Sequence, residues 1–259
     1  MEKAAARRAA HALLNEHKAG TPFKAFDAGV GLNSIPDAYD IQDQYVALLC
    51  AEHGELAGYK VGLTSKTMQT FCGIDHPIGG VVLARRVHQT GATVRRGDYG
   101  RLGLEFEVAV RIKSDMPAAA QTAAAVAPHV DGVCAAIEVV DDRTADYSHL
   151  DVRSLVADNS WNAGIVISNF ATQWPDLEGM LGKASKDGAP IGEGYGRDIL
   201  GHPFNSVAWL NAQLALRGGG LRRGQVVMTG SVMKTVFPAE PASYRFEFER
   251  LGAVEVRVT

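Results

Sequence analysis

From about residue 56 the chain breaks into short runs of β-branched, aromatic and aliphatic residues separated by glycines, and this texture limits the available folds most. Ala57 to Leu63, Gly80 to Leu83, Leu104 to Ile112, Val133 to Val140 and Ala163 to Ile167 read as strands. Gln225 to Thr229, Ser243 to Glu249 and Ala253 to Val258 continue the series. Two helical stretches interrupt it: an alanine-rich one over 118–127, and Ser206 to Arg217, which runs into three glycines. Many strands with few helices predict an α+β fold rather than alternating βαβ units.

The first 55 residues differ. Lys3 to Lys18 is rich in alanine, leucine and arginine and predicts a helix that stops at Gly20. Ser34 as N-cap, Pro36 in the first turn and Asp37 as capping partner open a second helix. Along it Ala38, Ile41, Tyr45, Leu48 and Leu49 recur at helical spacing until Gly54. The chain therefore divides into a helical N-terminal region over 1–55 and a β-rich domain over 56–259, expected to form one structural unit.

A formal net charge of -3, with arginines only in scattered pairs, gives no electrostatic stripe for nucleic acid. No apolar run approaches a membrane span, and the N-terminus lacks the apolar core of a secretion signal. Cys50, Cys72 and Cys134 have neither the number nor the spacing of a disulfide framework or a zinc site. These features predict a cytoplasmic protein without nucleic-acid or membrane partners.

Three acidic residues stand where apolar ones are expected. Glu105 and Glu107 alternate with Leu104, Phe106 and Val108, so both carboxylates share one face of a strand. Alone, such a pair also fits an exposed polar edge. Glu138, inside Ala135-Ala136-Ile137-Glu138-Val139-Val140, is harder to place in water. A buried carboxylate needs a metal, a cation or a proton. Three glutamates form a hard oxygen set suited to Mg²⁺, Mn²⁺ or Ca²⁺. Lys60, between Tyr59 and Val61 and flanked by Gly58 and Gly62, reads either as a snorkelling lysine or as an interior one. Near a metal, an interior lysine is expected to have its pKa lowered toward neutrality. Neither a GxSxG nucleophile elbow nor a phosphate loop is present.

The segments together resemble the fumarylacetoacetate hydrolase superfamily, in its hydratase and 4-oxalocrotonate decarboxylase branch. Ala38-Tyr39-Asp40-Ile41-Gln42 is similar to its AYxIQ helix, and Gly58 through Ser65 (GYKVGLTS) to its GYKxGLTS strand. Met68-Gln69 and Pro77 follow in order. Glu105-Phe106-Glu107 resembles the ExE pair, and Glu138 through Arg143 the E-(I/V)-x-D-S-R segment. Ala157-Asp158-Asn159, Leu200-Gly201-His202-Pro203 and Thr229-Gly230-Ser231 resemble ADN, LGxP and TGS.

The resemblance implies a mixed β-roll, with Glu105, Glu107 and Glu138 as ligands of Mg²⁺ or Mn²⁺ and Lys60 as the acid/base group. It places Asp75 in a pocket-lining loop as an aid to proton transfer, with His76 beside it as a further candidate. Ser160, Thr229, Gly230 and Ser231 are expected to bind a substrate carboxylate, and Arg143 and Asp158 to support a loop. The implied reaction is hydration of a 2-hydroxy-2,4-dienoate to a 4-hydroxy-2-oxo acid, as in aromatic catabolism. A 4-oxalocrotonate-type decarboxylase, an acylpyruvate-type C–C hydrolase and an inactive assembly subunit are the alternatives. A small 2-oxo acid or dienol is the expected partner, in a homo-oligomer that could associate with a partner decarboxylase. The chain departs from the pattern at Trp161, which would narrow or reshape the pocket, and at Pro238 through Ser243, which would alter a turn.

Overall fold

The computed structural model describes residues 1–118 and 122–259. Two helices lead, α1 (Lys3–Lys18) and α2 (Ile35–His53). Ser34 caps α2 by accepting from the Asp37 N–H, and the Asp37 carboxylate accepts in return from the Ser34 hydroxyl and the Asn33 N–H. The larger sheet has seven strands, in the order β2 (Ile78–Leu83), β1 (Leu56–Gly62), β10 (Val226–Ser231), β5 (Leu102–Ile112), β6 (Val130–Asp141), β7 (Asn162–Ile167) and β3 (Val87–Gln89). The smaller has five: β4 (Ala92–Val94), β12 (Gly252–Val258), β11 (Ala242–Phe248), β8 (Leu181–Lys186) and β9 (Ala189–Tyr195). Between strands run the short helices α3 (Lys66–Phe71), α4 (Ala123–Val126) and α5 (Val152–Ala157), and the longer α6 (Pro203–Leu216). No helix among the described residues is long and apolar enough to cross a membrane.

The sheets pack face to face. In β11 the alternation is strict: Ala242, Tyr244, Phe246 and Phe248 are buried, and Ser243, Arg245 and Glu247 are exposed. The buried set meets Leu104, Phe106, Val108 and Val110 of β5, and the Phe106 and Phe246 rings lie 5.6 Å apart. The other face of the larger sheet is buried as well, which explains why β5 and β6 read as nearly continuous apolar runs. There the sheet curls until β2 packs against β7. Val82, Ala109, Cys134, Ala136, Ile165 and Met228 fill the interior of the roll. α1, α2 and α5 cover the flank beside β2.

Of the helix expected over 118–127, only Ala123–Val126 is α-helical among the described residues, and 119–121 lie outside them. Pro128 follows at once in a 3₁₀ turn over Ala127–His129, in which Ala127 keeps helical φ/ψ of -48° and -44°. The hairpin β8–β9 went unread in the sequence because both strands are rich in glycine, proline and lysine. Its Asp187-Gly188 turn, with both φ values positive, is nevertheless a hairpin signal.

Phe246→Ala should lower stability by about 3–5 kcal/mol, since the cavity between the sheets cannot collapse. Arg245→Ala, whose ion pairs with Glu247 and Glu255 are exposed, should cost no more than about 1 kcal/mol. Urea unfolding followed by tryptophan fluorescence distinguishes the two variants.

Candidate active site

Antiparallel pairing places Glu138 of β6 directly opposite Glu105 of β5, and Glu107 lies two residues further along the same face. One oxygen from each of the three carboxylates lies within 4.8 Å of the others. Like charges opposite each other on a ladder repel. Here water cannot dilute the repulsion, because Glu107 and Glu138 are both 0% exposed.

Each carboxylate is oriented by a named partner. The Thr235 hydroxyl donates to Glu105 Oε1 at 2.6 Å. The Gly230 N–H donates to Glu107 Oε2 at 2.7 Å, from a bulge in β10 where the register with β5 shifts. Gly230 has φ 110°, and a Cβ there would lie 2.4 Å from Thr64 Oγ1, so the position requires glycine. Asn162 Nδ2 donates to Glu138 Oε1 at 2.9 Å. Glu107 Oε1 and Glu138 Oε2 are buried and have no hydrogen-bond partner. Two orphaned oxygens beside a third carboxylate form an acceptor set without donors, which fits a hard divalent cation. Glu105, Glu107 and Glu138 are the residues that would hold it.

Lys60 on β1 is 4% exposed, with Nζ 3.3 Å from Glu138 Oε1 and donating to the Ser160 carbonyl at 3.2 Å. Its neighbour in β2 is Gly80, where a Cβ would lie 2.6 Å from the Asn159 carbonyl and 3.1 Å from Lys60 Cγ. Glycine at this point lets the lysine stem and the 159–161 segment approach the strand. That segment carries three successive non-glycine residues with φ of 50°, 50° and 59°. Hydrogen bonds hold it in place: Asn159 exchanges two with Val81, and the Ser160 hydroxyl donates to the Gly79 carbonyl.

The electrostatics follow from this crowding. Burial, then repulsion from Glu138 and Glu105, pushes the Glu107 carboxyl well above its ordinary range. Burial outweighs the pull of Lys60 and raises Glu138 to about 7. For Lys60, burial acts downward, but attraction to Glu138, Glu105 and Glu107 outweighs it and the ammonium is raised. Without a cation three carboxylates face one ammonium, a different charge balance from the metal-bound one for which a lowered lysine pKa is expected.

Lys60, Glu105 and Ser160 line a cavity of about 90 Å³ that Trp161 also borders. Trp161 is held edge-on by Phe23 and Tyr147. Asp75 is not brought there: it is exposed on the turn after α3, where its backbone carbonyl accepts from Lys66. His76 turns away to bond the Pro77 carbonyl and stack on Trp209. The groups of the Thr229-Gly230-Ser231 turn, expected to bind a substrate carboxylate, bond to the protein instead. Thr229 Oγ1 donates to the Val108 carbonyl, the Gly230 N–H serves Glu107, and Ser231 Oγ accepts from the Phe106 N–H. Arg143 and Asp158 form a buried ion pair at 2.7 Å, extended by His17 at 2.6 Å from Asp158, which ties α1 to the end of α5. Asn162 and Thr235 were missed in the sequence. The only available signal for Asn162 was an amide leading directly into an apolar strand.

The description of the fumarylacetoacetate (FAA) hydrolase C-terminal family matches residues 53–259. The chain belongs to this family. It is 29% identical over 230 residues to the 2-hydroxyhexa-2,4-dienoate hydratase of Comamonas testosteroni, covering 87% of each chain. It is 30% identical over 226 residues to a 2-keto-4-pentenoate hydratase of Burkholderia vietnamiensis, covering 86% of this chain and 85% of the relative. It superposes on the 4-oxalocrotonate decarboxylase of Pseudomonas putida G7, solved with magnesium and adipate, with a TM-score of 0.93 at 25% identity. That superposition covers 100% of this chain and 99% of the other. The fold is thus the mixed helix-and-sheet roll of the family, with helices at its N-terminus.

Saturating Mn²⁺ should raise the melting temperature by about 5–10 °C at a hundredfold excess over its Kd. Glu107→Gln, which keeps an acceptor for Gly230, should leave the metal-free protein at least as stable while abolishing that rise. Differential scanning calorimetry with Mn²⁺ and with EDTA checks both.

Proposed function

We propose that the chain is a divalent-metal-dependent hydratase that converts a 2-hydroxy-2,4-dienoate into a 4-hydroxy-2-oxo acid, with Mg²⁺ or Mn²⁺ held by Glu105, Glu107 and Glu138. The observation that carries this reading is Lys60 buried 3.3 Å from a carboxylate triad whose two orphaned oxygens lack donors. The hydratase relatives, at about 30% identity over most of the chain, support the reaction class. An inactive assembly subunit would be expected to have lost one of these four residues, and all four are present and adjacent.

When bound, the cation supplies Lewis-acid stabilisation of negative charge on the substrate's 2-oxygen. The protein supplies position and a proton. An ammonium has three N–H groups, and Glu138 and Ser160 accept two of those on Lys60. The third is left for a substrate atom in the cavity. In the first stage the 2-hydroxyl loses a proton and C5 gains one, giving the 2-oxo-3-enoate, and Lys60 is the group that delivers it. Water then adds across C3 and C4, placing the hydroxyl on C4 and hydrogen on C3. Before a cation is bound, the facing carboxylates hold Lys60 in its protonated form at neutral pH.

Decarboxylation of a 4-oxalocrotonate-type acid is the second reading, favoured by the end-to-end superposition on that decarboxylase. The same enolate chemistry serves both reactions, so the distal end of the substrate must decide between them.

The test is ultraviolet loss of 2-hydroxypenta-2,4-dienoate with Mg²⁺, Mn²⁺ or EDTA. Wild type should require the metal and form 4-hydroxy-2-oxopentanoate, and Glu138→Ala should be inactive. Lys60→Met should lose about 10²–10⁴ in kcat while still binding oxalate with Mg²⁺. Turnover unaffected by EDTA or by Lys60→Met would refute the assignment.

A further inference from the structure

We infer that the substrate carries one carboxylate and a short hydrocarbon tail, and that the apolar wall of the cavity, including Leu63, Met68, Leu150 and Leu155, rejects a second carboxylate. This rests on the metal-centre reading above and narrows its substrate class. The cavity has two unlike sides. One is polar and faces the triad, with Lys60, Glu105, Ser160 and Thr235. The other is formed by Leu63, Met68, Ile78, Val140, Leu150 and Leu155, with the rings of Tyr147 and Trp161 closing it.

On the second side the one buried side-chain donor without a partner is Trp161 Nε1, a neutral indole N–H that cannot by itself replace the water shell of a distal carboxylate. The Tyr147 hydroxyl donates to Asp142 Oδ2 at 3.1 Å, the Thr235 hydroxyl to Glu105, and the Ser160 hydroxyl to the Gly79 carbonyl. Lys60 is the only cationic side chain among the cavity's lining residues, and it lies on the polar side between Glu138 and the Ser160 carbonyl. The nearby arginines are committed elsewhere. Arg101 forks onto the buried Asp142, and Arg143 pairs with Asp158. A carboxylate at the far end of the substrate would therefore lose its water with no cation and at most one neutral N–H to replace it, whereas a methyl or vinyl end loses nothing.

The test uses a pair matched in carbon chain with the Mg²⁺-loaded protein: 2-oxopentanoate and 2-oxoglutarate have the same five-carbon chain and differ in the terminal methyl or carboxylate. By isothermal titration calorimetry, wild type should bind 2-oxopentanoate at least about 10²-fold more tightly. Met68→Arg and Leu150→Arg, at two half-buried positions of the wall, should each tighten 2-oxoglutarate binding by about tenfold or more. Oxalate, too short to reach the wall, reports whether each variant keeps an intact centre. Wild type binding 2-oxoglutarate as tightly as 2-oxopentanoate, with oxalate still bound, overturns this inference and leaves the metal-centre reading standing. Failure of oxalate itself to bind with Mg²⁺ or Mn²⁺ overturns both.

Discussion

Glu105 and Glu138 face each other across an antiparallel ladder, with Glu107 on the same face, inside a sheet that is covered on both sides. Once folded, this arrangement has few stable states, because no water reaches the two deepest carboxylates. With all three carboxylates ionised, the one positive charge of Lys60 leaves two negative charges unbalanced, which is the charge a divalent cation brings. Much of the surrounding structure serves this cluster. The β10 bulge turns the Gly230 N–H onto Glu107, Thr235 reaches Glu105 from the segment beyond β10, and Asn162 holds Glu138 from the start of β7. Each partner donates to one oxygen, and on the two buried residues the second oxygen stays unpartnered.

A second set of contacts holds the ammonium. Three consecutive residues in the left-handed region cost on the order of 1–3 kcal/mol each. They persist at 159–161 because Asn159 clamps Val81 from both sides and Ser160 bonds Gly79. Gly79 is held in turn by α2: the Tyr39 hydroxyl accepts from its N–H, and Gln42 Nε2 donates to its carbonyl and to that of Val156. The Ala38-Tyr39-Asp40-Ile41-Gln42 stretch, far from the chemistry in sequence, therefore fixes the β-strand against which Lys60 lies. Ala38 and Ile41 pack as an ordinary helix stripe, and Tyr39 and Gln42 fix the register of that strand.

The central strands and both N-terminal helices were legible because burial and periodicity act locally on them. Glu105, Glu107 and Glu138 were legible as candidates for the same reason, since carboxylates in apolar runs violate the pattern. Hairpin β8–β9 and the short strands β3 and β4 were not, because their residues have weak preferences and tertiary pairing decides them. Where a hydroxyl points is also nonlocal. Thr229 and Ser231 carry the right groups for an anion, but the strand beside them takes those groups first. Asp75 sits in a suitable motif, yet the turn after α3 faces it outward. The direction of the Lys60 shift depends on how many carboxylates lie close, which only the fold determines.

The division of labour inside the cavity has a structural origin. The groups that would hold a cation come from β5 and β6, central strands whose register is locked by burial on both faces. The wall that meets the substrate's far end comes mostly from connecting segments: Leu63 and Met68 around α3, and Tyr147, Leu150 and Leu155 between β6 and β7. Trp161 belongs to the second group and is braced by Phe23 from the N-terminal region, so the helical segment before residue 56 also shapes the pocket. Substitutions in such connections leave the ladder and its three carboxylates undisturbed. A fold built this way can keep one carboxylate cluster and exchange the groups around the substrate's far end, which is where hydration and decarboxylation would place different demands.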